Sequence, residues 1–115
     1  MNPTVLKART KEFAKRVIRL CRILPDGNEA KLIRNQLFRS ATSVGANYRA
    51  CCRGRSKADF VAKLGIVLEE ADESLYWLEL LVETDIVQED LLRPLMQEAN
   101  ELVAIFVASL NTAKA

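Results

Sequence analysis

Three clusters in this sequence carry side chains of a kind that can do chemistry. The first is a tight acidic group, Glu69, Glu70, Asp72 and Glu73. The second is the thiol pair Cys51-Cys52, and the third a succession of bases from Lys7 to Lys57. Carboxylates on bundled helices hold paired metal ions when a Glu-x-x-His recurs on two of them. This chain has no histidine. That removes the ligand set, together with Ser-His and Cys-His nucleophiles and histidine general bases. The acidic group therefore reads as a solvated or subunit-facing surface, with no metal and no cofactor expected. Adjacent cysteines on a helix diverge by about 100° and do not clamp one ion unaided. Arg49 and Arg53 can lower a nearby thiolate pKa, yet packing as small apolar side chains is the preferred role. Tyr76 and Trp77 can stack on bases, but they lie among acids that repel phosphate, so core or subunit interface is preferred. No catalytic residue is assigned.

The bases carry the strongest functional signal. Residues 1–57 hold fourteen Lys and Arg against three acids, and residues 58–115 hold three against twelve. Solubility does not require such an asymmetry. Two uses fit it. One is an exposed basic surface for nucleic-acid phosphate, tolerant of sequence and sensitive to salt. The other is electrostatic matching of unlike halves between subunits, which sets register and excludes wrong partners. The candidate phosphate ligands are Lys11, Lys15, Arg19, Arg22, Arg39, Arg49, Arg53 and Arg55.

The elements that must position these residues are helices. Half of the chain is apolar, 28% is charged, and only four glycines and three prolines interrupt it, so an all-β fold is excluded. One domain over residues 1–115 is expected. Three cysteines without a spaced framework suit a reducing compartment. No apolar run reaches the roughly 18 residues of a membrane span, and MNPTVLKART lacks the apolar core of a signal peptide. The expectation is a cytoplasmic protein with no membrane partner.

Apolar residues recur at helical spacing in four stretches, predicting helices over about 4–24, 29–53, 57–83 and 90–111. The stripes are Leu6, Phe13, Val17, Leu20 and Leu24; then Ile33, Leu37, Ala41, Val44, Tyr48 and Cys51; then Phe60, Leu64, Val67, Leu68, Ala71, Leu75, Leu78 and Val82; then Leu92, Leu95, Ala99, Val103, Phe106 and Leu110. Asn28, Ser56 and either Asp85 or Asp90 are the expected caps of the last three helices, and Pro94 is expected in the first turn or so of the fourth. Gly45 in mid-helix costs about 1 kcal/mol relative to alanine, a cost suited to a close approach of two backbones. The third helix carries a second set, Ile66, Trp77, Leu80 and Leu81, interleaved with Glu70 and Glu73. A helix apolar on two sides must bury both, so this set, together with Glu70 and Glu73, is assigned to a subunit interface. Four such helices with short turns make an all-α, up-down-up-down antiparallel four-helix bundle.

RSATSVGANYR at 39–49, RSKADFVAKLGIVLEEADES at 55–74 and YWLELL at 76–81 cover about a third of the chain. In their order of small, basic and acidic residues they resemble the small bacterial four-helix-bundle proteins encoded in intervening sequences of 23S ribosomal RNA genes. The resemblance implies a closed bundle, assembly into a homo-oligomeric ring with a pentamer favoured, and no enzyme activity. The chain is also similar to the accessory proteins of diversity-generating retroelements, basic bundles that bind nucleic acid and a protein partner. What this implies is RNA or DNA binding by the first two helices; the alternative is a protein-interaction scaffold whose charged halves serve assembly alone.

Overall fold

Pro25 and Gly27 mark the first change of helix and Gly54 the second. In the computed structural model, which describes residues 2–115, the elements are α1 (Pro3–Ile23), α2 (Asn28–Cys52), α3 (Lys57–Glu83) and α4 (Glu89–Lys114), with no strand among the described residues. Asn2 caps α1, its Oδ1 accepting from the Val5 amide at 2.9 Å, and Pro3 takes the first helical position, where a missing N–H costs least. The residue before a proline is pushed out of the helical region. Leu24, preceding Pro25, is accordingly extended and ends α1.

Ser56 caps α3 as expected, accepting from the Asp59 amide at 3.1 Å. The Asp59 carboxylate reaches back to the Arg55 amide at 3.1 Å, a reciprocal arrangement that ties down two donors. The other two caps differ from expectation. Asn28 is itself the first residue of α2, and Gly27, at φ 135°, precedes it with no side-chain cap. Asp85 takes φ 60° as α3 unwinds, Asp90 lies inside the first turn of α4, and Gln88 precedes that helix without a capping bond. Pro94 is the sixth residue of α4, so it falls in the second turn. It denies the Asp90 carbonyl a helical partner, at a site exposed to water.

The predicted stripes converge on one core. Phe13, Val17, Leu37, Val44, Leu64, Val67, Leu78, Ala99 and Phe106 are fully or almost fully buried, whereas Phe60, Leu68, Leu75, Val82, Val103 and Leu110 are half-buried at its margin. Three buried polar residues join it, each with its hydroxyl satisfied. Thr10 donates to the Leu6 carbonyl at 2.9 Å, Ser40 to that of Leu37 at 3.3 Å, and Ser74 to Ser40 Oγ at 3.1 Å across the α2–α3 seam. Gly45 fulfils its predicted role: a Cβ there would stand 3.3 Å from Thr10 Oγ1 and 3.4 Å from the Thr10 carbonyl carbon, so α1 and α2 meet closely at this point.

Each helix packs on its sequence neighbours, and α1 meets α4 along a thinner seam. The molecule is elongated, 44 × 21 × 20 Å. Thr10 faces Gly45, whereas Cys21, farther along α1, donates to the carbonyl of Arg34, earlier in α2. The same crossing holds between α2 and α3, where Cys51 meets Phe60 and Ser40 meets Ser74. None of the helices, over the described residues, is long and apolar enough to cross a membrane.

One sequence-based assignment is overturned by packing. Leu81, grouped with the outer apolar set of α3, is completely buried in the subunit's own core. It follows Leu78 by three residues and Ser74 by seven, so helical geometry carries it onto the inner stripe. Ile66 is 45% exposed, and Trp77 and Leu80 are half-buried at the border of the two faces.

Candidate nucleic-acid interface

Bases three and four residues apart share a helix face. Lys7, Lys11 and Lys15 follow one another down α1, with Arg22 continuing the line. On α2, Lys31, Arg34, Arg49 and Arg53 follow a line of the same kind. The Thr10–Gly45 and Cys21–Arg34 contacts bring these two lines alongside each other.

Pairing within the subunit decides which cations remain available. Across the helix seams, ion pairs among the described residues engage two bases of the amino-terminal half. Arg9 reaches Glu98, Nε to Oε2 at 3.1 Å, and Glu101 at 3.3 Å. Arg39 forks between Glu70 at 3.2 Å and Glu73 at 2.6 Å. These carboxylates raise both guanidinium pKa values, chiefly through the hydrogen bonds to Glu98 and Glu73. Arg39 is thus placed on the α2–α3 seam with its charge already matched, apart from the other candidates. Lys15 and Arg19 share Glu12, at 3.3 and 3.7 Å, in exposed contacts worth little in water. Lys11, Arg22, Arg49 and Arg53 are exposed and enter no ion pair among the described residues. Arg55 sits at the α2–α3 connection, its amide held by Asp59.

Sequence reasoning missed Arg34 and Phe38. Arg34 donates to the Pro25 carbonyl at 3.4 Å and has no acidic partner among the described residues. Phe38 is 46% exposed and shares a groove of about 500 Å³ with Ile18, Cys21, Arg22, Arg34 and Asn35. The available signal was a large aromatic four residues after a base, on the polar side of α2.

The remaining chemistry-bearing groups are held by packing. Among the described residues no three of Cys, Asp and Glu converge as a metal site. Cys21 and Cys51 are buried and Cys52 is half-buried. Burial pushes the Cys21 thiol up, partly opposed by Arg34, and pushes Cys51 up to about 11. The Trp77 indole donates to Glu73 at 3.3 Å, and Tyr76 meets the Trp77 ring edge-on at 5.1 Å. Tyr76 is 53% exposed, so it and Ile66 leave an apolar face on α3 uncovered.

The arrangement offers fixed positive charge and an aromatic ring rather than a nucleophile and base. A family model described as 23S rRNA-intervening sequence protein matches residues 5–108. A crystal structure from Bacteroides thetaiotaomicron, described as a protein with unknown function from the S23 ribosomal protein family, is similar at a TM-score of 0.86 and 35% identity. The match covers 96% of this chain and 99% of that one. No curated protein matches the sequence.

Proposed function

The chain belongs to the family of 23S rRNA-intervening sequence proteins, and from that premise we propose that it is a non-enzymatic, cytoplasmic, homo-oligomeric bundle that binds RNA through the outer surface of α1 and α2. The observation that carries this reading is the unequal pairing of the two halves. The acids of α3 and α4 reach across to Arg9 and Arg39 and, among the described residues, leave Lys11, Arg22, Arg49 and Arg53 without a carboxylate. Opposed numbering across the seams supports the up-down-up-down antiparallel arrangement, in which these bases share one side of the bundle. The exposed Ile66 and Tyr76 support assembly through α3, with a pentamer favoured.

Binding of a labelled RNA measured across a salt series tests the proposal. Each neutralised phosphate steepens the log–log dependence by about 0.7–0.9. The triple variant Lys11→Gln, Arg49→Gln, Arg53→Gln is expected to bind more weakly, with a slope shallower by about two to three, while keeping its mass in solution. Absence of binding at low salt, or a slope that ignores these substitutions, would sink the reading. The competing scaffold reading draws on the same uncovered α3 face. It predicts that charge reversal at Arg49 and Arg53 breaks the assembly into smaller species.

A further inference from the structure

We infer that the groove between α1 and α2 lined by Ile18, Cys21, Arg22, Arg34, Asn35 and Phe38 receives an unpaired RNA base, so that the ligand of the basic surface is single-stranded or looped RNA rather than continuous duplex. This rests on the RNA-binding reading above and adds a ligand class and a site to it. Phe38 presents nearly half of its surface to water on a helix face otherwise given to polar and basic side chains. Ile18 and Cys21 line the groove beside it as its apolar part, and the charged side chains lining it among the described residues are Arg22 and Arg34. Neither arginine has an acidic partner among the described residues, and the Arg34 guanidinium is steadied by the Pro25 carbonyl. Asn35, exposed at the rim, makes no side-chain hydrogen bond among the described residues, so its amide has a donor and an acceptor to offer a base edge.

An aromatic face flanked by guanidinium groups is what an unstacked base and its two phosphates require. A duplex does not meet it, because paired bases are stacked on one another and the deep major groove of A-form RNA excludes side chains. The site is continuous with the rest of the basic surface. Fifteen residues of α2 separate Arg34 from Arg49, an axial distance of about 22 Å, and Lys7 and Lys11 accompany that path on α1.

The experiment uses the full chain, an oligouridylate about twenty nucleotides long, which stays unpaired, and an RNA duplex of equal length. Affinities are read by fluorescence anisotropy at several salt concentrations, and mass by light scattering. The wild type is expected to prefer the unpaired strand. Phe38→Ala should weaken oligouridylate binding about tenfold with the salt slope and mass unchanged, and should leave duplex binding as it was; Phe38→Trp should restore the preference. Arg22→Gln with Arg34→Gln should instead flatten the salt slope by about 1.4. If both RNAs bind but Phe38→Ala binds each as the wild type does, the base site is wrong and the electrostatic reading stands. If the Phe38→Ala variant loses mass, the ring is a contact between subunits or with a protein, which also overturns the assignment. If neither RNA binds at low salt, both readings fall together.

Discussion

Cys51 and Cys52 are neighbours in sequence and occupy different environments. Cys51 is fully buried and donates to the Phe60 carbonyl at 3.6 Å; Cys52 lies half-buried at the surface of the core. Burial is the chief reason the Cys51 thiol is pushed up to about 11, with Cys52 adding to it. A free thiol titrates near 8.5. Because the folded value is the higher one, the neutral thiol stabilises the fold fully below about pH 8.5 and loses that contribution as pH rises toward 11. The stability advantage of the wild type over Cys51→Ala is therefore expected to shrink by on the order of 2 kcal/mol between pH 8 and 11. Urea titrations at a series of pH values measure it, and a difference independent of pH would contradict the assignment. Gly45 was legible in advance because an interior helical glycine has a known cost that something must offset; Thr10 is what stands against it. Phe38 was not, because its pattern position gives no sign of what lies beside it.

At the scale of the helices, boundaries followed local chemistry wherever one residue dominated. Leu24-Pro25 stops α1, and Ser56 starts α3 with Asp59 returning the bond. Lys63 at 3.1 Å and the Arg55 amide hold the Asp59 carboxyl below the usual carboxylate range, so the carboxylate persists further into acid. Ser56→Ala is expected to cost about 1 kcal/mol, seen as a fall of a few degrees in Tm, with helix content unchanged at low temperature. An unchanged Tm would mean that backbone and solvent alone satisfy this end of α3. The starts of α2 and α4 went differently because several residues could serve. At α2 the glycine's left-handed freedom set the geometry and drew Asn28 into the helix. At α4 the chain enters through Gln88, and Asp85 takes the left-handed position that closes α3.

For the whole molecule, the separation of charge is only partly neutralised by folding. Arg9 and Arg39 fasten the basic helices to the acidic ones, and the rest of the basic surface faces outward. The uncovered strip of α3 carries Ile66 and Tyr76 among acids. Introducing charge there, as Ile66→Glu with Tyr76→Glu, is expected to reduce the mass in solution to that of one chain. Circular dichroism should stay helical, since neither residue belongs to the core. A wild type that is already a monomer, or a variant that keeps a multimeric mass, would remove α3 from the proposed interface.

Helical periodicity read along the chain determined the number of elements, their ends to within three residues, nearly all of the inner stripes and the uneven distribution of charge. Those properties follow from each residue's angular position about its own axis, which spacing alone specifies. Tertiary structure decided what faces each side chain: Leu81 turned inward, Arg39 taken by Glu70 and Glu73, Phe38 sharing a groove with Arg22 and Arg34. The register and rotation of one helix against the next are set by the packing of all four at once, and no single stretch of sequence contains them.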